Sequence, residues 1–204
     1  MKIAILGSGN VGGTLATGWA AKNHLVAIAA RNPKSDKAVS AASAAKAKVM
    51  SIADGVKWAE VVLLATPWAA VPDALAAAGD WTGKILLDAT NPLKPQLAGL
   101  ELGTTTSGAE RVAELARGAR VVKVFNTIGA ANMADGDGLS MLMAGDDPAA
   151  KAAAGVLARD VGFEPVDLGP LKEARLLEPF ALVWITLAYK QGFGPNFGLT
   201  VRKR

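Results

Sequence analysis

The residues with the clearest chemical potential stand at the head of the chain. Gly7-Ser8-Gly9-Asn10-Val11-Gly12 follows a short apolar run, Lys2 to Leu6, and opens a segment in which Val11, Leu15, Trp19 and Ala20 recur at helical spacing. In a strand-turn-helix setting each glycine of such a motif has a task. Gly7 permits the tight turn, Gly9 lets a diphosphate approach the backbone, and Gly12 lets the helix pack close to the strand. The free amides and dipole at the helix start then face the anion. Ser8, Asn10 and Val11 complete the expected cradle, and the spacing predicts dinucleotide binding. The alternative is a domain that keeps its glycines for packing alone.

About twenty residues beyond the glycines, a site selective for NAD would carry an acid to accept from the ribose 2′-hydroxyl. Arg31 stands there instead. A guanidinium cannot accept that bond but pairs bidentately with a 2′-phosphate, and Asn32, Lys34 and Ser35 add donors beside it. The pattern favours NADP(H) over NAD. Two further strand ends are expected at the coenzyme, Thr66-Pro67-Trp68 and Asp88-Ala89-Thr90-Asn91. Thr66, Thr90 and Asn91 offer hydrogen bonds, and Pro67 with Trp68 an apolar wall.

Other chemistries are excluded by composition. There is no cysteine and His24 is the only histidine, which removes thiolate sites, a cysteine nucleophile, a histidine triad and a multi-histidine metal centre within one chain. No protein-bound metal is expected. His24 falls at the sheet end opposite the crevice and is assigned no chemistry. Lys123 is the most tempting acid, set within a strand beside Phe125 and Asn126, although a lysine placed there can instead pair with an acidic residue or point its ammonium to a surface. Asp88 is read as orienting a loop.

The elements that must position these residues alternate. Apolar runs at Lys2 to Leu6, Leu25 to Ala30, Val49-Met50, Val61 to Ala65, Ile85 to Leu87, Arg120 to Phe125, Leu139 to Ala144 and Glu164 to Leu168 read as about eight strands. Most lack polar alternation, as strands covered on both faces do. Helices are expected at Asn10 to Lys22, Asp36 to Ala45 with Asp36 as cap, Ala69 to Ala78, Ser107 to Arg117, Pro148 to Arg159 and Leu171 to Lys190, the last interrupted by Pro179. Asn126 to Gly138 shows no clear helix, so the direction of the seventh strand stays open. The reading is an α/β, doubly wound, mostly parallel sheet over residues 1–168, with a small C-terminal helical lobe over 169–204.

With 51% hydrophobic and 20% charged residues in 204, the chain can bury a sizeable core. The longest apolar stretch, near Leu176 to Tyr189, is interrupted by Glu178 and Pro179 and is too short to span a bilayer, and no signal peptide is recognised at the N-terminus. The expectation is a cytoplasmic protein with no membrane partner. A net charge of +4 suits any anionic partner, and no pattern for nucleic acid accompanies it.

Several segments together resemble the coenzyme F420-dependent NADP oxidoreductases, to which the cytosolic domain of the STEAP metalloreductases is similar. They are the glycine motif, Arg31-Asn32, Lys123-Val124-Phe125-Asn126-Thr127-Ile128-Gly129-Ala130, Leu168-Gly169-Pro170-Leu171 and Ala174-Arg175-Leu176-Leu177-Glu178. The resemblance implies a Rossmann domain, a homodimer, and hydride passed directly from NADPH to coenzyme F420 or a flavin, with no general acid required. On that carry-over Arg31, Asn32 and Ser35 hold the 2′-phosphate. Asn91, Phe125, Asn126, Thr127 and the Pro170-Leu171 corner sit near the nicotinamide and the acceptor. Lys94, Lys172, Arg175, Lys190 and Arg202-Lys203-Arg204 are candidate cations for an anionic acceptor tail, weighed against a merely solvated face. Two other readings are kept. One is NADPH-dependent reduction of a small carbonyl or imine, with a proton from Lys123 or Tyr189; the other is a non-catalytic NADP(H)-binding sensor.

Overall fold

A computed structural model describes residues 1–202. Its centre is one sheet of eight strands in the order β3-β2-β1-β4-β5-β6-β7-β8. The strands are β1 (Lys2–Leu6), β2 (Leu25–Ala30), β3 (Lys48–Ser51), β4 (Val61–Leu64), β5 (Ile85–Asp88), β6 (Arg120–Lys123), β7 (Ser140–Gly145) and β8 (Glu164–Asp167). The first six run parallel, in the doubly wound Rossmann-like order. The chain reverses between β6 and β7, which pair antiparallel through Val122 with Gly145 and Lys123 with Ala144; β8 then lies parallel to β7. That settles the strand direction the sequence left open.

Continuous apolar strands supply both faces of the core because successive side chains alternate across the sheet. Ile3, Ile5, Ile28 and Leu63 turn to one side, where α1 (Asn10–Ala21) and α6 (Pro148–Asp160) cover them with Leu15, Trp19 and Leu157. Ala4, Leu6, Val62 and Leu64 turn to the other, beneath Val56, Leu75 and Val112 of α3 (Ile52–Trp58), α4 (Val71–Ala76) and α5 (Gly108–Leu115). Trp19 joins the two helices of the first face: its indole N–H donates to the Leu157 carbonyl at 2.9 Å, and its ring meets Phe125 edge-on.

The structure departs from the sequence reading in four places. The helix α3 is unexpected; Ser51 caps it by accepting from the Asp54 amide. For α2 (Asp36–Ala44) the cap is Ser35, not Asp36, because Ser35 has the extended backbone and accepts from the Ala38 amide. β6 stops at Lys123, two residues before Phe125, whose φ of 62° lies in the left-handed region that ends a strand. Pro179 does not interrupt its helix: a 3₁₀ turn at Leu171–Glu173 leads into α7 (Ala174–Ile185), which carries Pro179 inside and continues as a π-helical turn over Thr186–Lys190. α7 packs on α5 and β7. Among the described residues, no helix is long and apolar enough to cross a membrane.

Candidate functional site

The order of strands reverses between β1 and β4, and the crevice of an open α/β sheet lies at such a point, outside the carboxyl ends of the strands. Here the glycine turn fills the junction. Gly7 has φ of +121°, and a Cβ on it would stand 2.3 Å from the Ala65 carbonyl oxygen at the end of β4. A Cβ on Gly12 would stand 2.0 Å from the carbonyl oxygen of Gly7 itself. Gly9, by contrast, has nothing within 4 Å of where a Cβ would be, and it precedes α1 with no side chain capping the helix amides. The first turn of α1 carries no acid. Open backbone at an uncapped helix start is the arrangement that receives an anion.

A cleft of about 930 Å³ opens over this turn and is lined by Gly7 through Val11, by Thr66, Pro67 and Trp68 after β4, and by Thr90 and Asn91 after β5. It shares Gly7, Ser8 and Thr66 with an adjoining pocket of about 330 Å³, walled by Arg31, Asn32 and Ser35 beyond β2. The structure thus brings together the glycine cradle, the cationic end of β2 and both threonine loops. Asn32 Oδ1 accepts from the Lys34 amide at 3.1 Å, so its oxygen is engaged within its own loop. The Thr66 hydroxyl oxygen is buried and has no hydrogen-bond partner among the described residues, which leaves it for a ligand.

The remaining expected site residues lie behind this wall. Gly12 is a packing residue, as expected. Phe125 is only 1% exposed and belongs to the core against Trp19, and Thr127 faces a separate small cavity with Ser140 and Phe180. Asn126 is buried too, yet it is tied to the cleft: its Nδ2 donates to Asn91 Oδ1 at 3.0 Å and to the Leu177 carbonyl at 3.2 Å, while Asn91 Nδ2 donates to the Asn126 carbonyl at 2.9 Å. Leu171 of the Pro170-Leu171 corner is buried in the second core layer, its amide donating to Asp146.

Lys123 is wholly buried. Its ammonium lies 2.9 Å from Asp88 Oδ2 and 3.0 Å from Glu178 Oε1, and it also donates to the Thr90 carbonyl. Burial pulls the lysine pKa down, but the two carboxylates together outweigh it and hold Lys123 above the ordinary lysine value. A group that keeps its proton and has its three N–H bonds committed is no proton donor to a substrate. Tyr189, the other acid considered, is 61% exposed and packs on Trp184, outside the cleft.

The candidate tail-binding cations fare unevenly. The Arg175 guanidinium is held by Glu110 at 2.6 and 2.9 Å, and Lys190 reaches the Leu97 carbonyl at 3.5 Å. Lys94, Lys172 and Arg202 are exposed and do not line the cleft, and Lys203 and Arg204 lie outside the described residues. His24 bonds to Asp160 and the terminal amine, away from the cleft.

Residues 2–92 match the family model for coenzyme F420-dependent NADP oxidoreductases. Along its whole length the chain is similar to a crystal structure from Arthrobacter sp. FB24 that bears the provisional name of F420-dependent NADP-reductase. That match is 33% identical, has a TM-score of 0.89 and covers 100% of both chains. The chain belongs to the F420-dependent NADP oxidoreductase family. A hypothetical protein from Sinorhizobium meliloti, SMa0349, is 32% identical over 87% of this chain and 90% of that one, with a TM-score of 0.77. Rat metalloreductase STEAP3 is 33% identical over 185 residues, which is 89% of this chain; the chain spans 36% of that relative's length. A reductive aminase from Aspergillus terreus, solved with NADPH and ethyl levulinate, shares the fold at 23% identity and a TM-score of 0.71, covering 94% of this chain and 63% of its own.

Against this family background, three charged residues of the cleft escaped the sequence reading. Lys37, in the first turn of α2, faces the glycine turn. Asp73 of α4 lines the Arg31 pocket, and Glu101 accepts from the Trp68 indole N–H at 3.0 Å at the outer wall. Lys37 was findable as a cation two residues past Ser35; the other two carry no spacing signal.

Proposed function

We propose that this chain is an NADPH-dependent oxidoreductase that transfers hydride between NADP(H) and coenzyme F420 or a flavin-like acceptor. The observation that carries the reading is the continuity between two spaces: the uncapped glycine turn at α1 opens into the same hollow that Arg31, Asn32 and Ser35 wall. The two spaces share Gly7, Ser8 and Thr66, so that one dinucleotide could offer its diphosphate to the first and its 2′-phosphate to the second.

The residues present fit the coenzyme. The open backbone at Gly9 lets the diphosphate approach, the helix dipole of α1 favours its charge, and Lys37 adds a cation beside it. Arg31 pairs with the 2′-phosphate, and Thr66 Oγ1, buried without a partner, takes up a hydrogen bond from or to the ligand. Thr90 and Asn91 wall the opposite end, where Pro67 and Trp68 exclude water. When bound, NADPH supplies the hydride and the acceptor ring receives it, so that the protein's task is distance and orientation. No side chain with a free proton faces the cleft at Lys123 or Tyr189, and this favours acceptor chemistry over carbonyl or imine reduction.

Titration with NADPH, followed by stopped-flow oxidation upon mixing with F420, FMN or FAD, tests the reading. Saturable binding with turnover on at least one acceptor is expected. Silence with all three overturns the acceptor class, and tight binding without any turnover returns the sensor reading.

A further inference from the structure

Lys123 is among the largest side chains sealed inside the molecule, and its two carboxylate partners are sealed with it. One ammonium faces two carboxyl groups, all three sealed from solvent. Four further donors meet the carboxyl oxygens. Asp88 Oδ1 accepts from the amide and the hydroxyl of Thr90 at 2.9 and 2.7 Å, and Glu178 accepts from the opening amides of α5, Gly108 at 2.8 Å and Ala109 at 3.0 Å. A buried ionic cluster is no more stabilising than well-packed apolar side chains of the same volume, so its use must lie in the geometry it imposes.

What it imposes is visible at Thr90. All three polar atoms of that residue bind the cluster: amide and hydroxyl to Asp88, carbonyl to Lys123. The next residue, Asn91, forms the cleft wall and is locked to Asn126, which is locked in turn to the carbonyl of Leu177, beside Glu178 on α7. Neither Lys123 nor Glu178 lines the cleft. A continuous set of bonds therefore runs from the C-terminal helix to the end of the cleft remote from Arg31, and among the described residues none runs to the Arg31 pocket, which the end of β2, the loop after it, Ile52 of α3 and the face of α4 build.

We infer that Lys123, Asp88 and Glu178 are positioning residues: they fix the Thr90-Asn91 wall where the nicotinamide end of the coenzyme lies and make its fit depend on α7. The inference rests on the NADPH reading of the cleft. It separates the two ends of the ligand, and the test uses that separation.

The 204-residue chain and its Glu178→Gln and Asn91→Ala variants are titrated with NADPH and with 2′,5′-ADP, which fills only the adenosine end. The wild type is expected to bind both. In Glu178→Gln NADPH binding weakens roughly tenfold, in the range for residues that couple without touching the ligand, and in Asn91→Ala, which removes a side chain of the cleft wall itself, by at least as much, while 2′,5′-ADP binding stays within about twofold in both. Equal losses for the two ligands in Glu178→Gln would mark a general structural role and overturn the inference, as would unchanged NADPH affinity. Asn91→Ala removes a half-buried cleft side chain outside the ion cluster and keeps the test decisive if Glu178→Gln fails to fold. A wild type that takes up neither ligand refutes the NADPH reading itself, an outcome distinct from both.

Discussion

Gly12 sits directly under the carbonyl of Gly7, so close that a single added carbon would lie 2.0 Å from that oxygen. The contact is backbone to backbone and cannot be relieved by a side chain moving aside. Gly12→Ala must therefore push α1 away from β1 or distort the turn. Overpacking of this kind costs about 1–3 kcal/mol. Thermal unfolding is expected to show the loss of stability and an NADPH titration the loss of affinity; an unaltered melting temperature would contradict the packing role.

Arg31 stands apart from the turn, in the pocket beyond β2. Its replacement by alanine is expected to weaken NADPH relative to NADH by about 1.5–3 kcal/mol, the worth of a hydrogen bond to a charged group. Equal losses for the two coenzymes would show that Arg31 does not read the 2′-phosphate.

The buried cluster makes a stability prediction independent of any ligand. Lys123→Met leaves Asp88 and Glu178 facing each other with no cation between them. Removing one partner of a buried pair costs about 3–5 kcal/mol. Urea unfolding of the variant should show a loss of that order, whereas a loss below about 1 kcal/mol would mean that the carboxylates take up protons at little cost.

Acid should loosen the join between α5 and α7. The hydrogen bonds from Arg175, with further help from Ser107, hold the Glu110 carboxyl below the usual glutamate range despite some burial. A carboxylate with a lowered folded pKa contributes stability that is fully present above its unfolded value of about 4.3 and disappears as the pH falls through the lower folded value. Because Arg175 is more than a third exposed, the contribution is modest. Glu110→Gln is expected to flatten the decline in stability below about pH 4.3 compared with wild type; parallel curves would remove Glu110 from the account.

Association can be checked directly. Leu176, Val183, Tyr189 and Phe193 are exposed along α7 and the turn after it, which supports the homodimer expected from the sequence. Light scattering coupled to size exclusion should give twice the chain mass at micromolar concentration, and monomer alone would contradict the expectation.

Much of this molecule was legible because its strands are covered on both faces and read as unbroken apolar runs. The same property hid two details. Ile52, Val56 and Ala59 look like a continuation of the strand-like Val49-Met50, so that α3 went unseen although Ser51 and Asp54 mark its start. Val124 and Phe125 likewise extend the apolar run of β6, and only the left-handed backbone of Phe125 itself takes the chain out of the strand. The glycine cradle and Arg31 were findable because their chemistry depends on local spacing. The partnership of Lys123 with Glu178 was not, since it joins β6 to a helix far along the chain, and neither residue carries a sign of the other.

One feature of the far sheet margin bears on how the protein behaves at high concentration. The Glu164 amide donates to the carbonyl of Leu139, just before β7, and the Leu168 amide to that of Met143 within it, and alternation turns the backbone nitrogen of residue 165 outward. That residue is proline, which has no hydrogen to offer, and the exposed Glu164 stands beside it, while Asp167 is paired with Lys151 at 2.7 Å. A foreign chain approaching this border finds a missing rung beside a charged side chain. Lateral growth into fibrillar aggregates is discouraged at the one strand the fold leaves at that margin.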